Sequence, residues 1–245
     1  MITTLVLSPA DLIAVLRSDP SVSDDNATKY GPLLLSTAIR YRVTTPLRLA
    51  YFLSQLAHES GGFKYTEELA SGAAYERRKD LGNTQPGDGP RYKGRGLVQI
   101  TGRASYARYA KFSGTDVVSE PHLLAEIPAC VDSAGWFWQY GAFTDISKLA
   151  DKDDIKGVTR LINGGYRGLA DRKARLTFYK YEIDRKGALL VQKALNARLS
   201  YPRLVEDGAF GPQTTSVVRE FQSDFFLTPN GNVDQSTWQH LTQAR

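Results

Sequence analysis

Residues 45–62 read TPLRLAYFLSQLAHESGG, and this stretch decides what the chain is built around. Thr45 followed by Pro46 has the form of a helix N-cap and first helical position. Leu49, Phe52, Leu53 and Leu56 then recur at i, i+3, i+4 and i+7, which predicts an amphipathic helix over 46–60 with one inward face. Gly61 and Gly62 stop it. Glu59 therefore falls in the last turn, where unpaired carbonyls make a poor seat for a carboxylate. A carboxyl group so placed suits proton donation, and a solvated helix end is the competing reading. Glu68 follows nine positions on, and the polar loop 94–101, GRGLVQIT, comes after. Two carboxylates on opposite sides of a groove are the minimum equipment for cutting a glycosidic bond.

Working outward, Ser8, Pro9 and Asp11 predict a first helix over 8–19, with Leu12, Val15 and Leu16 on its apolar side. Further helices are expected at 33–41, 103–112, 121–140, 152–163 and 170–184. Strand signals are few and short. Residues 71–95, rich in Gly, Arg and Lys, read as one long loop, and long ordered loops usually serve function. Asp184–Ala188 reads as a boundary, with a new helix opening near Leu190. Beyond it the chain echoes itself. Asp207-Gly208 and Asn230-Gly231 are Asx-Gly turns, each leading through a threonine region into a helix. This C-terminal segment holds no dense polar constellation, so binding is expected there and chemistry elsewhere.

Composition narrows the classes. The chain has 245 residues, 42% of them hydrophobic, enough for one large or two modest domains. From Leu189 onward five basic residues balance five acidic ones, so the formal charge of +5 lies wholly in the first 188 residues. A basic catalytic part favours an anionic partner such as bacterial wall, nucleic acid or a membrane surface. No finger, basic-helix or RNP-like pattern supports nucleic acid, and no stretch approaches a membrane span. Cys130, the single cysteine, excludes an intrachain disulfide and reads as a buried thiol. Three scattered histidines without an HExxH motif leave little material for a zinc site, and neither metal nor cofactor is expected.

Two resemblances sharpen this reading. Val191–Asn196, Asp207–Gly211, Thr214, Val218, Phe221-Gln222, Asn230-Gly231 and Thr237-Trp238 resemble the peptidoglycan-binding type 1 domain, a small three-helix bundle. Asn230 stands where that pattern commonly has Asp, and Asp234 where Gly is common. Residues 30–183 resemble glycoside hydrolase family 19, in its bacteriophage endolysin branch. Four motifs occur in order: His58-Glu59-Ser60-Gly61-Gly62, Tyr92–Gly102 around GRGLVQIT, Leu161–Gly165, and Arg175–Tyr179. Ser105 departs from the asparagine common there.

The resemblance implies a mainly α protein: a lysozyme-like, chitinase-like helical catalytic domain with a cleft over 1–184, and a three-helix wall-binding domain over 185–245. It implies Glu59 as general acid and Glu68 as general base of an inverting hydrolase, with the carboxyls about 6.5–9.5 Å apart. Glu67 and Glu76 compete with Glu68 for the second role. His58, Tyr92, Gln99, Thr101, Asn163 and Arg175 are the implied substrate-binding set. Within it Gln99 and Asn163 would bond sugar amides or hydroxyls, Thr101 would place the water, and Arg175 would tune the base. Structural alternatives exist for three of these: a surface charge for Arg175, a turn for Asn163 and a helix cap for Thr101. The implied partner is peptidoglycan, met by a monomer without membrane insertion. The opening residues show no secretory signal, so synthesis is expected in the host cytoplasm, with action on the wall after release through a holin-like pore.

Overall fold

Helix termini and the burial of one central helix organise the fold. The computed structural model describes residues 1–198 and 200–243. Its helices are α1 (Pro9–Arg17), α2 (Asp24–Arg40), α3 (Pro46–Glu59), α4 (Asp88–Arg91), α5 (Arg103–Ser113), α6 (Ala129–Trp136), α7 (Ser147–Ala150), α8 (Ile155–Asn163), α9 (Leu169–Asn196), α10 (Pro212–Asp224) and α11 (Gln235–Thr242). Among the described residues, β pairing is limited to isolated bridges.

The local signals hold where the chain alone decides. Ser8 and Asp11 form a capping box at α1, and Thr45 accepts from the Arg48 amide to cap α3. The α3 helix differs from its expected one-sided character. Every residue from Leu49 to Ala57 is buried, as in a helix wrapped on all sides. It packs lengthwise against α9, and α1 against α2.

Four expectations need correction. The second helix begins at Asp24, capped by Ser23, and carries Pro32 inside it. Burial of Ala27, Tyr30, Gly31, Leu34 and Leu35 outweighs the backbone bond that proline removes. The helix expected at 121–140 is broken: a 3₁₀ turn over Pro121–Ala125 precedes α6, which opens directly after Pro128, and a π turn follows over Phe137–Gly141. The loop at 71–95 contains 3₁₀ turns at Ala73–Tyr75 and Lys79–Leu81, and α4. No helix starts at Leu190, because α9 runs unbroken through Asp184–Ala188 for 28 residues.

Two hydrophobic cores form. The larger extends from Leu7 to Ile183, and the smaller joins Val6, Val191, Leu195, Leu204, Val217, Val218, Phe221, Val233 and Leu241. Besides α9, the N-terminal segment links them. The Thr3 amide donates to the Val233 carbonyl (2.9 Å) and the Leu5 amide to that of Thr44 (3.0 Å).

In the smaller core each Asx-Gly turn is gripped by a buried glutamine. Gln192 accepts from the Gly208 amide (2.9 Å) and donates to Asp207 (2.8 Å). Gln222 accepts from the Gly231 amide (2.9 Å) and donates to the Asn232 carbonyl (2.7 Å). The Asn230 side chain receives the Asn232 amide (2.7 Å) much as Asp207 receives that of Ala209 (2.8 Å), and Asp234 caps α11. Both departures from the family pattern thus have turn-building roles.

Candidate active site

The acid candidate stands at the end of α3, as the sequence predicts, but in unpredicted company. Glu59 Oε1 accepts from Arg172 Nη2, on a guanidinium with no solvent exposure. Arg172 Nη1 donates to Gln55 Oε1 (2.6 Å), one helical turn before Glu59. His58 Nδ1 meets Asp171 Oδ2 at 2.6 Å, and the same oxygen accepts from Arg175 Nε (2.7 Å). Burial disfavours the charged form of Asp171, yet His58 and Arg175 outweigh it and hold its carboxyl below the ordinary value. The Arg167 carbonyl accepts from both Arg172 Nε (3.3 Å) and Asn163 Nδ2 (3.4 Å), so the end of α8 joins this side.

The turn after Glu59 carries the chain to the base candidate. Ser60 accepts the Phe63 amide on its hydroxyl and the Lys64 and Tyr65 amides on its carbonyl. Gly62, at φ +74°, lies so close to Ser21 that a Cβ would come within 2.1 Å of its carbonyl oxygen. Bridges between Glu67 and Arg95 and between Arg95 and Ile100 then fold the GRGLVQIT loop against Glu67-Glu68.

Glu68 is half-buried. Its Oε1 accepts from the Tyr75 hydroxyl (2.9 Å) and its Oε2 from the Gly94 amide (3.1 Å). A Cβ at Gly94 would lie 2.7 Å from Gln99 Oε1 and 3.3 Å from Glu68 Oε2, so glycine there lets the two side chains approach. Gln99 is held at φ +57°, its amide donating to Gly96 (2.9 Å). Thr101 Oγ1 donates to the Gln99 carbonyl (3.0 Å), and Gly102 rather than Thr101 occupies the cap of α5.

The competing carboxylates are committed to structure. Glu67 pairs with Lys93 (3.1 Å) and Arg95 (3.0 Å). Burial acts to raise its pKa, but the two cations prevail and hold it below the ordinary value. Glu76 accepts the Gly87 and Gly89 amides, each at 2.9 Å, and so closes the loop before α4. Only neutral donors meet the Glu68 carboxylate among the described residues. They orient it without cancelling its charge.

Two implied roles are overturned. Tyr92 is 1% exposed, packs edge-on against Tyr106 and donates its hydroxyl to the Val118 carbonyl (3.1 Å), so it supports the loop from beneath and presents no surface to a sugar. Arg175 does not touch Glu68. Its partners are Asp171, Ser21 and Asp19, on the Glu59 side. The arginine at a candidate carboxylate is Arg172, which the sequence hid inside a basic cluster. Its visible signal was register: Arg172 lies four residues before Leu176 and seven before Tyr179, on the buried stripe of α9. A cation there needs an anion. Cys130 is fully buried, and burial pushes its thiol up to about 11. Among the described residues no His, Cys, Asp and Glu group could hold a metal ion, and no helix is long and apolar enough to cross a membrane.

A helical body with two partly exposed carboxylates on either side of a glycine turn, one of them beside an amide, has the equipment of a glycoside hydrolase. The chitinase class I family matches residues 43–150, and the peptidoglycan binding domain family matches 185–241. A glycosyl hydrolase family 19 domain-containing protein of Haemophilus influenzae is 32% identical over 157 residues, covering 51% of this chain and 75% of that protein. An endochitinase of Arabidopsis thaliana is 35% identical over 127 residues, and the match covers 51% of this chain but 42% of that enzyme. The chain belongs to glycoside hydrolase family 19. Its fold is that of chitinase C from Streptomyces griseus, with a TM-score of 0.57 at 21% identity over 73% of this chain and 93% of that one. A class IV chitinase from Zea mays superposes with a TM-score of 0.54 at 20% identity, over 72% and 90%.

Proposed function

We propose that this protein hydrolyses the glycan of bacterial peptidoglycan between N-acetylmuramic acid and N-acetylglucosamine, with inversion, as a bacteriophage lysis enzyme. Glu59 gives its proton to the leaving glycosidic oxygen, and the Arg172 guanidinium stabilises the carboxylate that remains. Glu68 takes a proton from water attacking the opposite face of the sugar. Tyr75 and the Gly94 amide hold its two oxygens in place. Gln99 approaches this carboxylate across Gly94 and can orient water or a sugar amide, with Thr101 bonded to its carbonyl. The observation that carries the assignment is the division among neighbouring carboxylates: those of Glu67 and Glu76 are bound into the scaffold, while the Glu68 carboxylate keeps neutral partners beside a polar loop.

Residues 1–184 carry the chemistry and 185–245 hold the wall, in a monomer that is made in the host cytoplasm and reaches the wall after a holin-like pore opens. The peptidoglycan-binding match and the basic first part support the wall as substrate. A chitinase is the second reading, favoured by the endochitinases among the relatives. Digestion of purified wall and of chitin oligomers in parallel, with mass analysis of the new reducing ends, separates the two. The expected product ends in N-acetylmuramic acid. The Glu59→Gln protein should clear no wall, and undiminished clearing would remove Glu59 from the acid role.

A further inference from the structure

Near His58 and the turn after Glu59 lies a cavity of about 250 Å³, lined by Asp19, Pro20, Ser21, Asp171, Ala174, Arg175 and Phe178. Asp171 and Ser21 connect it to the surroundings of Glu59. Its wall residue Asp171 pairs with His58, the residue before Glu59. Asp171 also directly precedes Arg172, which holds the Glu59 carboxylate. Its opposite wall, Ser21, packs on Gly62 in the turn that follows Glu59. The cavity therefore adjoins the chain on both sides of Glu59, at His58 and at Gly62.

Its lining is of mixed character. Phe178, Ala174 and Pro20 supply apolar surface. Arg175 is fixed through Nε on Asp171 and through Nη1 on Ser21 and Asp19, while Nη2 makes no hydrogen bond among the described residues. Asp171 is half exposed. A fixed guanidinium with a spare donor, two carboxylates beside it and an apolar floor suit a short peptide that offers both a carboxylate and N–H donors along with small aliphatic side chains.

Resting on the peptidoglycan reading, we infer that this cavity receives the peptide stem of a substituted sugar next to the scissile bond. Chitin and peptidoglycan share their linkage chemistry, but only peptidoglycan bears a lactyl peptide on alternate sugars. A place for that peptide would discriminate between them, and this cavity adjoins His58, the residue before the acid candidate.

Ala174 is exposed on α9 and makes none of the contacts that hold His58, Arg172 or Glu59. The Ala174→Trp protein fills the cavity and leaves those contacts in place. Release of reducing ends is measured for both proteins on intact peptidoglycan and on the same glycan stripped of its peptides by an amidase. The expected result is a fall of about tenfold on the peptide-bearing substrate, within the range one altered pocket contact gives, with the rate on stripped glycan unchanged. Equal rates on intact wall, or equal losses on both substrates, overturn the pocket. A wild-type protein that cuts chitin oligomers but neither wall substrate overturns the peptidoglycan reading and the pocket with it, a result visible before any variant is made.

Discussion

The two cores use buried polar side chains in opposite ways. Around α10 and α11, Gln192 and Gln222 are almost wholly buried, and both ends of each amide are engaged in closing a turn. Around α3, Glu59 and Glu68 are partly exposed and only partly engaged, and they stand beside backbone held in left-handed conformations at Gly62 and Gln99. Saturated polar groups mark scaffold. Partly satisfied ones held in place by saturated neighbours mark a place where a ligand completes the set. The same contrast appears within one dipeptide, where the Glu67 carboxylate is tied to two cations and the Glu68 carboxylate to neutral donors alone.

Substitutions at the carboxylates test this contrast most severely. Glu59→Gln and Glu68→Gln should each lower the rate of glycan cleavage by about 10²–10⁴-fold, measured as new reducing ends, whereas Glu67→Gln should alter the rate little. Removing Arg172 comes next. In Arg172→Met the pair with Glu59 and the bond to Gln55 are both lost, and an expected cost of about 3–5 kcal/mol is read from denaturant unfolding. Gln222→Ala should cost about 1–3 kcal/mol for each turn group left unpaired while hydrolysis of soluble oligosaccharides stays at its wild-type rate. A large loss of that hydrolysis would erase the distinction between the two cores. Tyr92→Phe should leave KM unchanged and cost about 1 kcal/mol, in keeping with a supporting tyrosine.

The smallest effect concerns acid. Arg103 holds the buried Asp88 carboxyl below its ordinary value, against the push of burial, with help from the Gln85 amide. A depressed folded-state value means that this stabilisation is complete above the unfolded value, about 3.9, and is lost as pH falls below it. Loop 71–95 should thus keep its protection from proteolysis down to about pH 4 and lose it at lower pH, and Asp88→Asn should remove that dependence.

What the sequence revealed was local. Thr45-Pro46, the apolar spacing of α3 and the paired glycines act over one or two turns, so they could be read without neighbours. What it concealed depends on partners far away in the chain. Asp184-Arg185-Lys186-Gly187 has the composition of a linker, yet Lys186 pairs with Asp11 (3.0 Å) and Gly187 leaves room for Ile2 and Val6. Arg172 could not be assigned a role from its neighbours because its anion lies 113 positions earlier. Tyr92 shared a motif with Gln99 and Thr101, but a motif records neighbours in sequence, and the loop turns its members to opposite sides.

At about 1.5 Å per residue, α9 is a rod roughly 42 Å long. A flexible tether lets an anchor roam while its partner searches the surroundings, at an effective concentration set by slack. A stiff shaft, braced by the pairing of Thr3 with Val233, grants no such search. On the proposed function, a polymer gripped at the far end is presented to the near end at one fixed offset, so grip and cut fall in register along the same strand.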